Sequence, residues 1–145
     1  MEKLITQLTE IFTTNFVAYY RAHVAHVNIV GRNFYSDHKL LQKVYENLQA
    51  NIDTIAEFLR TCKTFMPESL EEVIDGSAIA DDPVMGTSDS LLETVRDDLE
   101  TLVVLYRELE KAAESAGQDQ IANYAQDQET ILTKQIWMLD STLDD

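Results

Sequence analysis

The chain has 145 residues, enough for one ordinary domain with a real hydrophobic core. It is strongly acidic, with 26 Asp and Glu against 11 Lys and Arg and a formal net charge of −15. Such a surface repels phosphate groups, and no stretch clusters Lys and Arg, so we expect no direct nucleic-acid binding. The acidity indicates either a protein that attracts cations or one that is merely kept soluble by its charge.

The sequence also bears on where the protein works. No segment reaches the length of a transmembrane helix, and the N-terminus lacks the long apolar run of a signal peptide. The single Cys62 cannot form an internal disulfide. We therefore expect a cytoplasmic protein that makes no membrane contact.

Helix breakers are scarce, because only four Gly and two Pro occur in the chain, and this predicts long helices. Apolar residues recur at helical spacing in four segments. Asn33 and a Ser90–Glu93 capping box are candidate helix starts, and Gly31 and Gly117 are candidate stops. The predicted helices span residues 2–28, 34–62, 88–116 and 119–142, and the crossover 63–87 holds one short helix at about residues 68–74. Two hairpins of long helices joined by a long crossover predict an all-α, ferritin-like four-helix bundle, one domain over residues 1–145.

Four potential metal ligands fall within the first 57 residues: His26, His38, Asp53 and Glu57. The histidines flank a short break in the run HVNIVGRNFYSDH, and the carboxylates are four residues apart on a predicted helix. Imidazole and carboxylate together suit iron, zinc or manganese. Each residue also has a plainer interpretation: the carboxylates as a solvated helix face, His26 as a core histidine, and His38 as a residue near a helix start.

The two carboxylates are predicted to face away from the bundle interior. At about 100° per residue, Asp53 lies about 140° and Glu57 about 180° from Leu48, the centre of the helix's core stripe. A single-chain ferritin-type site directs its ligands inward instead. If these carboxylates bind metal, the remaining ligands should therefore come from another chain.

The first helix supports an interface, because it has a second apolar face. A helix that is apolar on two sides is usually buried on both. This face comprises Val17, Tyr20, Val24 and Val27. We therefore predict a homo-oligomer in which His26 and His38 meet Asp53 and Glu57 of a twofold partner, giving two equivalent sites per interface.

Residues 18–60, AYYRAHVAHVNIVGRNFYSDHKLLQKVYENLQANIDTIAEFLR, resemble the Dps-type miniferritins, a family named for DNA protection in starved cells. The family pattern has a His before an Asn-x-x-Gly turn, then Asn-Phe, a second His and a helix with Asp-x-x-Ala-Glu. Here it is matched by His26, Asn28, Gly31, Asn33, Phe34, His38, Asp53, Ala56 and Glu57. The segment KQIWML, residues 134–139, also resembles the family's last helix.

This resemblance implies a twelve-subunit shell that oxidises Fe(II) with hydrogen peroxide or dioxygen and stores the ferric product inside. It implies that His26, His38, Asp53 and Glu57 are ferroxidase ligands shared across the twofold interface. Zinc or another divalent metal suits the same ligands. It also implies acidic threefold pores near the start of the last helix, where Asp119, Asn123 and Asp127 share one face. A solvated helix start explains these three residues equally.

Three departures from the family pattern matter. Val27 stands where many members have Trp after the first ligand His, and Gln42 stands where some have a further acidic ligand. The chain also lacks the Lys/Arg-rich tail of many DNA-binding members, so no direct DNA binding is expected. Two other functions stay open: a non-catalytic helical oligomer that binds zinc or nothing, and a DNA-protecting protein without ferroxidase activity.

Overall fold

The computed structural model describes residues 1–144, whose regular secondary structure is entirely helical. The helices are α1 Glu2–Asn28, α2 Phe34–Thr61, α3 Leu70–Gly76, α4 Ser88–Ser115 and α5 Asp119–Leu143. Helix α1 packs along α2, α4 packs along α5, and α1 also packs against α4. The predicted four-helix bundle of two hairpins, with a short helix in the crossover, is confirmed. None of these helices combines the length and apolarity needed to cross a membrane.

The core lies between the four long helices, each of which turns an apolar stripe inward. On α2 the stripe is centred as predicted, because Leu48 is fully buried. The largest side chains that are fully buried are Tyr106 of α4 and Phe12 of α1. The bundle is therefore filled by a single cluster of apolar side chains drawn from both hairpins.

The helix ends differ in part from the predicted signals. Gly31 adopts a φ of +125° in the turn after α1, a backbone conformation that favours glycine. The predicted Ser90–Glu93 capping box is wrong. Helix α4 begins earlier, and the side chain of Thr87 accepts a hydrogen bond from the Ser90 backbone N–H. Asn33 does precede α2, but its side chain makes no capping hydrogen bond within residues 1–144.

The crossover is held against the bundle by Arg21 of α1. Its Nε donates to a carboxylate oxygen of Asp98 on α4 at 2.7 Å, and both side chains are largely buried. Its Nη1 donates to the backbone carbonyls of Asp82, at 2.8 Å, and of Ala80, at 3.3 Å. One guanidinium therefore ties α1, α4 and the crossover together.

Helix α3 covers part of the second apolar face of α1. Val73 of α3 and Val17 of α1 are both buried, and the two helices are in contact. The expectation that this whole face needs another chain is therefore wrong for Val17. It still applies to the remainder of the face, since the side chains of Tyr20 and Val27 are 62% and 60% exposed.

Candidate metal centre

His26 and His38 lie together where α1 ends and α2 begins. Their rings are stacked, with centroids 3.7 Å apart and planes inclined by 16°, and Phe34 stacks beside His38 at 4.9 Å. The Nδ1 of each ring lies 2.7 Å from the backbone carbonyl oxygen of the other residue. A carbonyl oxygen only accepts, so each Nδ1 carries the proton and donates it. In the neutral form of each ring, Nε2 therefore keeps a free lone pair, and this is the form of histidine that binds metals.

The environment of His26 keeps its imidazole neutral. The ring is buried, and burial is the main cause of a pKa below the usual 6.5. The hydrogen bond to the His38 carbonyl opposes this effect, and the nearby charge of Glu46 opposes it more weakly. The pKa of His26 remains lowered, so the ring is an uncharged nitrogen donor at neutral pH.

Asp53 and Glu57 form a second pair, exposed on the outer face of α2. They are close enough to share a hydrogen bond, which is the main cause of a raised pKa at Glu57, followed by the repulsion from the Asp53 charge. Two carboxylates so close together disfavour a double negative charge unless a proton or a cation lies between them. This pair therefore has the electrostatic character of a cation-binding half-site.

The structure does not bring the four predicted ligands together within one chain. His38 and Asp53 lie on the same helix, about 22 Å apart at 1.5 Å per residue. Within residues 1–144, no three His, Cys, Asp or Glu side chains form a group that could hold a metal ion. Each chain therefore offers two separate pairs of ligands, one of imidazoles and one of carboxylates.

A row of aromatic rings continues from the histidine pair along the α1–α2 hairpin. Tyr45 lies beside His26, with ring centroids 5.0 Å apart, and stacks on His23 at 4.2 Å and 12°. The Tyr19 hydroxyl lies 3.0 Å from Nδ1 of His23. The sequence signal for this aromatic row is the spacing of residues 19, 23 and 26, which places them in successive turns on one face of α1.

The remaining predicted residues lie on the surface. Asp119, Asn123 and Asp127 are exposed over the first turns of α5, where a pore lining would have to lie. Gln42 donates a hydrogen bond to a Glu46 carboxylate oxygen at 2.7 Å. Val27 is exposed just after His26, so the chain places no aromatic ring at that position.

The four-helix bundle defines a ferritin-like helical protein, and comparison with known proteins specifies the class further. Residues 5–145 match the model of the ferritin-like domain. The chain is 32% identical to antigen TpF1 of Treponema pallidum over 88% of this chain and 72% of that protein. It is 27% identical to the "DNA protection during starvation protein" of Helicobacter pylori, covering 88% of this chain and 89% of that protein.

Solved structures agree with this fold. The crystal structure of TpF1 superposes with a TM-score of 0.92 at 30% identity, covering 98% of this chain and 92% of that one. Dps from Staphylococcus aureus superposes with a TM-score of 0.93 over 100% of this chain and 97% of that one, although identity is only 21%. The chain therefore belongs to the ferritin-like family. Its likeness to the starvation protein of Helicobacter pylori supports a Dps-type miniferritin.

Proposed function

We propose that this protein oxidises Fe(II) at subunit interfaces and stores the ferric product inside a hollow homo-oligomeric shell. The observation that carries this proposal is the separation of the ligands into two pairs. One pair has two free imidazole Nε2 atoms, the other has two exposed carboxylates, and each pair alone is too small to hold iron tightly. A twofold axis that joins the pairs completes the ligand set.

The same twofold axis defines which surfaces of the two subunits meet in this proposal. His26 and His38 of one protomer face Asp53 and Glu57 of the partner subunit, and the reverse pairing forms a second, equivalent site. The exposed apolar side chains on α1, Tyr20 and Val27, are then buried between the two copies. As a Dps-type miniferritin, the chain assembles in this proposal into a cytoplasmic dodecamer.

The ligand chemistry favours oxidation of the bound substrate. The His26 imidazole is a neutral donor, and the repulsion between the Asp53 and Glu57 carboxylates is relieved when a cation binds. Carboxylates stabilise Fe(III), the harder cation, more than Fe(II), and this lowers the reduction potential. Two Fe(II) ions supply the two electrons that reduce hydrogen peroxide to two hydroxide ions. Dioxygen takes two electrons from the same source to give peroxide.

Iron reaches the interior through acidic pores in this proposal. Asp119, Asn123 and Asp127 from three subunits line each pore, and the net charge of −15 on every chain draws cations toward the shell. Acidic side chains inside then bind ferric ions and nucleate the mineral. The same charge keeps DNA from binding directly.

Anaerobic loading with Fe(II), followed by peroxide or air, tests the proposal. The protein should show rapid growth of ferric absorbance, and the double variant Asp53→Ala/Glu57→Ala should lose it while its assembled size in gel filtration is unchanged. The matched control is Glu93→Ala/Asp97→Ala, which removes another exposed acidic pair four residues apart on a helix, and it should oxidise iron normally. Fast oxidation in the first variant would place the site elsewhere. Zinc binding without any iron oxidation in the unmodified protein would favour a non-catalytic metal-binding oligomer.

A further inference from the structure

The aromatic row beside the histidine pair ends in a tyrosine that has its own proton acceptor. The Tyr19 hydroxyl lies 3.0 Å from Nδ1 of His23, within the range for direct proton transfer. Tyr45 lies beside both this pair and the candidate metal centre, 4.2 Å from His23 and 5.0 Å from His26, whereas the His23 and His26 rings are 6.0 Å apart, all measured between ring centroids. The centroids of Tyr19 and Tyr45 are 6.3 Å apart. Ring-to-ring proximity is therefore continuous from Tyr19 to a predicted metal ligand.

We propose that Tyr19 is a redox-active residue that supplies one electron to the iron-oxidation site through Tyr45 and passes its proton to His23. This inference rests on the proposed function, and it addresses what happens when a site holds a single Fe(II). Two imidazoles and two carboxylates are enough ligands for one ion. One Fe(II) gives one electron, whereas reduction of hydrogen peroxide to hydroxide takes two.

With Tyr19 as the second electron donor, the two electrons that hydrogen peroxide needs are both accounted for. Hydrogen peroxide accepts one electron from Fe(II) and one from Tyr19, its O–O bond breaks, and two hydroxide ions form. The O–H bond of Tyr19 breaks as its electron leaves, and the proton moves to Nδ1 of His23. The products are Fe(III), a neutral tyrosyl radical, a protonated His23 and two hydroxides. No hydroxyl radical is released.

The surroundings explain why Tyr19, rather than Tyr45, is the final donor. A tyrosine that loses an electron becomes a strong acid, so a nearby base makes the loss easier. Tyr19 has that base in His23, whereas the Tyr45 hydroxyl has no hydrogen-bond partner within residues 1–144. Tyr19 is also partly buried and packs edge-on to Phe16, which shields a radical there from solvent. Tyr45 then conducts the electron and Tyr19 provides it.

The test adds one Fe(II) per site without oxygen, then one equivalent of hydrogen peroxide, and freezes the sample for electron paramagnetic resonance. The unmodified protein should show a tyrosyl radical signal, and Tyr19→Phe should lose it. In Tyr19→Phe, hydroxyl radical captured by a spin trap should rise several-fold. His23→Gln should lower the radical yield although Tyr19 is present, because the proton acceptor is gone. Tyr45→Phe should lower it, because phenylalanine keeps the ring but is too hard to oxidise to relay the electron.

Tyr35→Phe is the control, because Tyr35 is an exposed tyrosine near the same hairpin end and lies outside the ring path. It should leave both signals unchanged. An unchanged radical signal in Tyr19→Phe, together with normal iron oxidation, would overturn this inference and leave the proposed function intact. Absence of Fe(II) oxidation by peroxide and by air alike in the unmodified protein would overturn both.

Discussion

At the scale of single residues, the hydrogen bonds of His26 and His38 determine which ring nitrogens are available to a metal ion. Each Nδ1–H is committed to the backbone carbonyl of the other residue, so both Nε2 atoms are free. Burial lowers the pKa of His26 and keeps its ring uncharged. A pair of imidazoles fixed in this tautomer is ready to bind metal without rearrangement.

A half-buried carboxyl group, Glu129 on α5, predicts how the stability of the protein depends on pH. Burial is the main cause that raises its pKa from 4.5 to about 7, and the proximity of Glu110 adds to it, whereas Arg107 opposes it. The folded state therefore binds this proton more tightly than the unfolded state. The contribution to stability is fully present below pH 4.5 and is lost as the pH rises through about 7.

We expect Glu129→Gln to stabilise the protein at pH 8 by about 1 to 2 kcal/mol, because the neutral amide removes the cost of ionising a half-buried carboxyl group. At about pH 3 the variant and the unmodified protein should unfold alike, since Glu129 is then largely protonated in both the folded and the unfolded state. Chemical denaturation at the two pH values provides the measurement. A gain that is equal at both would show that ionisation of Glu129 is not its cause.

At the level of helices, Arg21 connects three elements that are distant in sequence. We expect Arg21→Met to destabilise the protein by about 3 kcal/mol, because it leaves the Asp98 carboxylate buried without its partner. It also frees the crossover carbonyls of Ala80 and Asp82. Arg96→Met is the comparison, since its ion pairs with Asp97 and Asp140 involve exposed carboxylates and should cost less than about 1 kcal/mol. Equal losses in urea denaturation would contradict this account.

The sequence predicts these helices well where a repeating pattern covers many residues. The apolar stripe centred on Leu48 predicted both α2 and the outward direction of Asp53 and Glu57, which are exposed. Single-residue signals were weaker. Ser90 matched a capping motif, yet Thr87, one turn earlier, is the cap, because several hydroxyl residues in this stretch can begin a helix. A local motif does not distinguish between such neighbours.

Contacts between distant segments were the part that the sequence left open. Val17 was assigned to a face awaiting another chain, but α3 covers it, and no local pattern tells which element will fold over a given side chain. The candidate ligands His26 and His38 followed from their types and spacing. Their reciprocal hydrogen bonds did not, since these depend on how closely the ends of α1 and α2 approach.

At the scale of the whole molecule, the net negative charge bears on whether the protein binds DNA. A chain with a net charge of −15, repeated over every subunit of the proposed shell, should repel DNA. We expect no gel retardation of duplex DNA in low salt at neutral pH, where electrostatic attraction would be strongest. A basic DNA-binding protein in the same gel serves as the positive control. A clear shift would show that a local surface, and not the net charge, governs binding.

The central claim is that each iron site is shared by two subunits, and mixed assemblies test it most directly. One chain carries His26→Ala/His38→Ala and the other carries Asp53→Ala/Glu57→Ala; each should be inactive alone. In a twofold dimer of the two, one interface site loses all four ligands and the other keeps all four. Random co-assembly should therefore restore about a quarter of the normal iron-oxidation rate, since about half of the dimers are mixed and each has one intact site of two. Mixed shells that assemble correctly and stay inactive would contradict a shared site.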